Sequence, residues 1–237
     1  MNKRIWELDV LRGICILGMV VVHLLYDLME LYALVDWQPP ALYTLAQDWG
    51  GVLFLLISGI CVTLGRRSVR RGLIVFFCGM ICSTVTAGMY FLNFSGKGII
   101  IYFGILHCLG VCMLLWPLVK KLPVWALAAL GIALTAGGFY LQTLPPADHP
   151  WFMILGLPPQ NFVSSDYFPL LPNLGFFLIG AVLGKTLYRK KETLLPRVNT
   201  GNPIIRFFLF CGKHSLWIYL LHQPVLSGII SLILVVK

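Results

Sequence analysis

LDVLRGICILGMVVVHLLYDLMEL, residues 8–31, has the length and apolar content of a membrane-spanning helix, yet it carries ionisable groups that such helices normally exclude. Arg12 and His23 stand eleven positions apart, which at about 100° per residue is only about 20° past three full turns. They therefore share one helix face. The same spacing is a rise of about 16 Å, so Arg12 is expected near one membrane surface and His23 well across toward the other. Asp27 follows His23 at i+4 and Asp9 precedes Arg12 at i−3, which puts a carboxylate within reach of each basic group. A charged face inside a bilayer is expensive and points to function.

The rest of the chain fits a membrane setting. With 59% hydrophobic and 11% charged residues and a mean hydropathy of +0.86, it is too apolar for a soluble globule. The expected fold class is all-α, a polytopic membrane helix bundle that forms a single domain over residues 1–237. Seven spans fit the apolar runs: residues 10–31, 42–64, 72–92, 98–119, 124–142, 167–188 and 213–236. The first is too long and too polar on one face for a cleaved signal peptide, and no small-residue cleavage pattern follows it, so it is expected to be retained.

Charge asymmetry orients the bundle. If the N-terminus is cytoplasmic, every Lys and Arg except Lys97, Lys237 and the intramembrane Arg12 falls on the cytoplasmic side. This places the C-terminus outside, with the lipid bilayer as the protein's first partner. The net charge of +9 resides in short loops rather than in a basic domain, which argues against nucleic-acid binding. The seven cysteines lie in or beside apolar runs with no CxxC pair, so they read as reduced packing residues, and no metal site is expected.

The outer loops near residues 34–41 and 143–166 carry Asp36, Trp37, Asp148, His149, Trp151, Asp166 and several prolines but no Lys or Arg. They are either a binding rim for a neutral or cationic acceptor or an interfacial aromatic belt. The inner loop over residues 185–206 is strongly basic, as positive-inside topology requires, and is also suited to an anionic ligand. Three histidines fall inside spans. His23, His107 and His222 lie about 20, 18 and 15 Å from the inner ends of their helices, in one layer near the midplane. Each alone would be a packing hydrogen bonder; three at one depth beside a buried Arg and Asp suggest a polar site. Ser215, Tyr219 and His222 share a face of the last helix, which Pro224 is expected to kink. Ser58 and Gly59 form a small-residue stretch suited to close helix contact. Asp48 is either a helix-terminal acid or an acid facing an outer cavity, and Asp166 and Tyr167 sit at the outer mouth just before Pro169.

The pairing of Arg12 with His23, FLLISG in the second span and SLWIYLLHQP in the last resemble the integral-membrane acyltransferases of the acyltransferase-three superfamily. More closely, LDVLRGICILGMVVVH, IYFGILHCLG and DYFPLLPNLGFFLIGAVLG resemble the bacterial branch of the heparan-alpha-glucosaminide N-acetyltransferase catalytic-domain family, nearly end to end. The resemblance implies transfer of an acetyl group from cytoplasmic acetyl-CoA to a sugar or glycan amine or hydroxyl reached from the far side of the membrane. It also implies that the positions of Arg12 and His23 are required for activity. Superfamily members usually have about ten or eleven spans, several more than are read here. Aligning the outer acid of the animal enzyme with Asp48 puts Gln38 where that enzyme has a histidine.

Acyl transfer from a thioester needs a base, a donor to the developing oxyanion and a positive site for the coenzyme phosphates. His23, oriented by Asp27, is the expected base. His107, His222 or Tyr219 would donate to the oxyanion. Arg12, helped by Arg66, Arg67, Arg70, Arg189 and Lys190, would hold the coenzyme, and Asp48, Asp166 and Tyr167 would line the acceptor side. A pantetheine arm is on the order of 15 to 20 Å long, comparable with the rise from Arg12 to His23. The rival from another class is a non-enzymatic transporter or carrier, although no inverted repeat is visible. A retinal protein would need a buried Lys in the last helix, and Lys213 sits at that helix's inner end. Oligomeric state is open, a homo-oligomer included.

Overall fold

Lipid offers no hydrogen bonds, so an apolar segment must satisfy its backbone internally, and here each does so as a helix. The computed structural model describes residues 5–32, 34–36, 38–93 and 96–236, with side chains at the C-terminal end described through residue 234. Lys3, Arg4, Lys237 and Trp37, which enter the charge count and the aromatic rim above, lie outside the described residues. In chain order the α-helices are α1 (Trp6–Tyr26), α2 (Ala41–Leu64), α3 (Ser68–Phe91), α4 (Ile105–Val119), α5 (Val124–Leu141), α6 (Leu170–Leu187), α7 (Pro203–Lys213) and α8 (Ser215–Val236). A π-helical turn, Asp27–Leu31, extends α1.

Among the described residues six helices are long and apolar enough to cross a membrane: α1 with its extension, α2, α3, α5, α6 and α8. The fourth expected span differs. Its helix begins only at Ile105 and has 15 residues, because the chain before it is bonded elsewhere. Ser165 Oγ donates to the Ile99 carbonyl at 2.7 Å, Ser164 Oγ to that of Ile100 at 2.9 Å, and the Phe168 amide to that of Phe103 at 2.9 Å. A second difference is α7, which occupies residues read as loop; its apolar and basic positions alternate with helical period, which a hydropathy scan for spans passes over.

The chain forms two compact units, Met1–Phe54 with Lys191–Lys237, and Leu55–Lys190, with α2 running across the boundary. In the first unit α7 lies antiparallel against the start of α1. A Cβ on Gly13 would come 2.1 Å from the Phe208 carbonyl oxygen, and one on Gly212 would come 1.7 Å from that of Asp9. Backbones approach this closely only where side chains are missing. Glu7 is buried and accepts from Thr193 Oγ1 and the Leu194 amide, both at 2.8 Å, which ties the chain entering α7 to the start of α1.

The second unit uses the same device. A Cβ on Gly59 would lie 2.0 Å from the Phe177 carbonyl oxygen, and one on Gly180 2.1 Å from that of Leu56, so the Ser58–Gly59 stretch is a close helix contact, as the sequence suggests. Lys185 Nζ donates to the carbonyls of Lys120 and Leu122 at 2.8 and 2.9 Å and so satisfies the end of α4. None of the seven cysteines forms a disulfide among the described residues.

Gly212→Ala is expected to destabilise the α1–α7 contact by about 1–3 kcal/mol through overpacking. Gly18→Ala, where an added Cβ meets nothing within 4 Å, should leave stability unchanged or slightly raised. Thermal unfolding midpoints of the two purified variants in detergent check this; equal midpoints would contradict the packing.

Candidate functional site

Two of the three intramembrane histidines meet in the first unit. His23 Nδ1 lies 3.3 Å from His222 Nε2, with ring centroids 4.9 Å apart and tilted by 33°. This contact fixes where the protons sit. The other nitrogen of His222, Nδ1, points at the Tyr219 carbonyl oxygen, and a carbonyl only accepts, so Nδ1 carries the proton. In the neutral ring Nε2 is then an acceptor, and His23 must donate to it from Nδ1. Neutral His23 therefore keeps its lone pair on Nε2. That is the geometry of a general base held by a neighbour.

The expected partner of His23 is engaged elsewhere. Asp27 is fully buried, and both its carboxylate oxygens accept from Gln223 Nε2 at 2.9 Å. A carboxylate in lipid surroundings requires such a donor, and Gln223, one residue beyond His222, supplies it. The ring that orients His23 is accordingly His222 rather than Asp27. Gln223 escaped the sequence reading although it stands in the HQP of the last span; the signal was that an intramembrane Asp must find a donor, and Gln223 is the amide that α8 offers.

Arg12 is half-buried, and its Nε is buried with no hydrogen-bond partner among the described residues. Asp9 is itself buried, and its backbone packs against Gly212. On α7, Arg206, Leu209, Phe210 and Lys213 follow i, i+3, i+4, i+7 spacing and line an open cleft of about 300 Å³. Neither Arg206 nor Lys213 stands out in the sequence, because the helix that aligns them is not visible as a span.

His107 belongs to the second unit, where both ring nitrogens have partners. Nδ1 accepts from the Gly104 amide at 3.2 Å, capping α4, and Nε2 lies 3.3 Å from Ser83 Oγ. The ring packs between Phe76 and Phe103 and against Gly79. Asp166 and Tyr167 are also part of this framework. Asp166 Oδ2 accepts from the Ile105 amide at 3.1 Å, a favourable site for an anion at a helix N-terminus. Tyr167 donates its hydroxyl to the Met153 carbonyl at 2.7 Å, and burial pushes the phenol up to about 12, so it stays protonated and donating. Asp48 is exposed and lies two turns inside α2, which starts at Ala41, so it is not a helix-terminal acid. Arg66, Arg67, Arg70, Arg189 and Lys190 are exposed. Among the described residues no group of three or more His, Cys, Asp or Glu side chains is arranged to hold a metal ion.

Residues 4–224 match the family model described as "Heparan-alpha-glucosaminide N-acetyltransferase, catalytic". No curated protein and no solved structure shows a significant match to the chain.

The proton arrangement is directly observable. Nitrogen-15 shifts of the His23 ring are expected to report the Nδ1–H tautomer, against the usual preference for Nε2–H, and to lose that bias in His222→Phe. An Nε2–H tautomer in the unmodified protein would contradict the arrangement.

Proposed function

The chain belongs to the heparan-alpha-glucosaminide N-acetyltransferase catalytic-domain family, and from that premise we propose that it moves an acetyl group from cytoplasmic acetyl-CoA to an extracytoplasmic sugar amine or hydroxyl. Membership and the apolar helices make this an integral-membrane protein of an acetyltransferase family. The donor, the acceptor, the bacterial inner membrane, the cytoplasmic N-terminus and a single functional domain over residues 1–237 are parts of the proposal. The observation that carries it is the histidine pair, which leaves His23 Nε2 as an open base inside the span.

In this reading His23 Nε2 takes the proton of the acceptor amine or hydroxyl as that group's lone pair adds to the thioester carbonyl carbon. The C–S bond then breaks, and the His23 imidazolium returns its proton to the departing thiolate. His222 stays bonded to Nδ1 throughout and keeps the ring aimed, the part first expected of Asp27. His107, His222 and Tyr219, whose ring lies 5.6 Å from that of His222, are the candidates for the oxyanion donor.

Acetyl-CoA is a substrate of the proposed reaction, and its anionic groups fit the buried, partnerless Nε of Arg12. A guanidinium with a buried N–H still to be satisfied suits a phosphate, which it binds in bidentate fashion. Arg206 and Lys213 on the helix packed against this segment add charge, and Arg66, Arg67, Arg70, Arg189 and Lys190, exposed in the second unit, stay candidates for coenzyme contacts from the sequence alone. Asp48, Asp166 and Tyr167 remain candidates for the acceptor side, the last two through the rigid loop they hold.

Purified protein given acetyl-CoA and glucosamine tests the assignment. His23→Ala should lower kcat by roughly 10²- to 10⁴-fold, and Arg12→Ala should raise the KM for acetyl-CoA with less effect on kcat. Wild-type rates in both variants would overturn the assignment.

A further inference from the structure

Within this cluster one polar atom is unused. Gln223 anchors its amide nitrogen on both oxygens of Asp27 at 2.9 Å, while its Oε1 is buried with no hydrogen-bond partner among the described residues. A buried carbonyl-type oxygen without a donor is disfavoured and rare. The donor set around Asp27 also prevents a simple remedy: turning the amide over would place Oε1 against the carboxylate, oxygen to oxygen. The side chain is thus held with Oε1 aimed away from Asp27.

We infer that Gln223 is a positioning residue for the acceptor, its Oε1 accepting a hydrogen bond from a second N–H or O–H next to the attacking group. The inference rests on the acetyltransferase reading above and adds a specificity-determining residue to it. Asp27 stands just over one helical turn beyond His23, about 6 Å along the axis, so the Gln223 side chain it fixes lies about one turn from the base. A single sugar ring bridges that interval. An acceptor with a lone amine or hydroxyl would satisfy His23 and leave Oε1 bare. One with an amine and a neighbouring hydroxyl would satisfy both, and a site built to receive a donor rejects the analogue that lacks it. Pro224 follows directly and removes the amide that would bond the Leu220 carbonyl, so this turn of α8 can adjust to admit the ligand.

The test compares glucosamine with 3-deoxyglucosamine in acetyl transfer and follows binding of both by ligand-observed NMR. With the wild-type protein the deoxy sugar is expected to show a KM about tenfold higher, the effect of one lost hydrogen bond. Gln223→Met should raise the KM for glucosamine about tenfold, abolish the discrimination and leave the KM for acetyl-CoA unchanged. The exchange Asp27→Asn/Gln223→Glu swaps donor and acceptor across the anchor while keeping the net charge and an outward oxygen, and it should restore discrimination; it also serves if Gln223→Met fails to fold. If wild type transfers acetyl but Gln223→Met keeps the same KM and the same preference, the inference falls and the acetyltransferase reading stands. If nothing is transferred, the acetyltransferase reading falls and takes the acceptor role of Gln223 with it, even where glucosamine binds wild type and not Gln223→Met. Equal binding of glucosamine to both proteins, or to neither, overturns the inference.

Discussion

In a bilayer a polar side chain must find its partner inside the protein, and the contact between His23 on α1 and His222 on α8 is where this chain meets that demand most consequentially. The Tyr219 carbonyl dictates the proton on His222, His222 dictates the proton on His23, and the open lone pair follows at His23 Nε2. One turn along, Asp27 and Gln223 form a second polar link between the same two helices. The two links hold the helices in one register, because sliding either would break both pairs. Function and packing therefore place the same requirement on α1 and α8.

Gly13 and Gly212 supply the complementary constraint from the apolar side. They let α7 come against the first turns of α1 with backbone contact, on the segment that carries the unpaired Arg12 Nε. The start of α1 is thus supported by glycine packing and the buried Glu7 bonds, and its far end by polar pairs. A helix carrying both a buried guanidinium N–H without a partner and a buried carboxylate needs support of both kinds, since neither group contributes stability on its own in lipid surroundings.

Much of this was legible in the sequence. Apolar runs located the spanning helices, and helical arithmetic put Arg12, His23 and Asp27 on one face. The small-residue stretch at Ser58 and Gly59 marked a close contact. What could not be read is which side chain on another helix a polar group selects. Asp27 looked like the partner of His23 because intrahelical spacing is visible in a sequence and interhelical register is not; the real partners, His222 and Gln223, are almost 200 positions away. Depth in the membrane was likewise a poor guide to chemistry for His107, whose nitrogens cap α4 and meet Ser83. The late start of α4 and the existence of α7 depended on loop hydrogen bonds and amphipathic spacing, to which a hydropathy reading is blind.

The most direct test of a catalytic base set inside a membrane span uses proteoliposomes. Protein is reconstituted with glucosamine trapped in the lumen, and radiolabelled acetyl-CoA is added outside. Labelled N-acetylglucosamine accumulating inside, and absent with His23→Ala, is the expected result. Export of unmodified glucosamine without any acetyl label, or labelling that persists with His23→Ala, would contradict it.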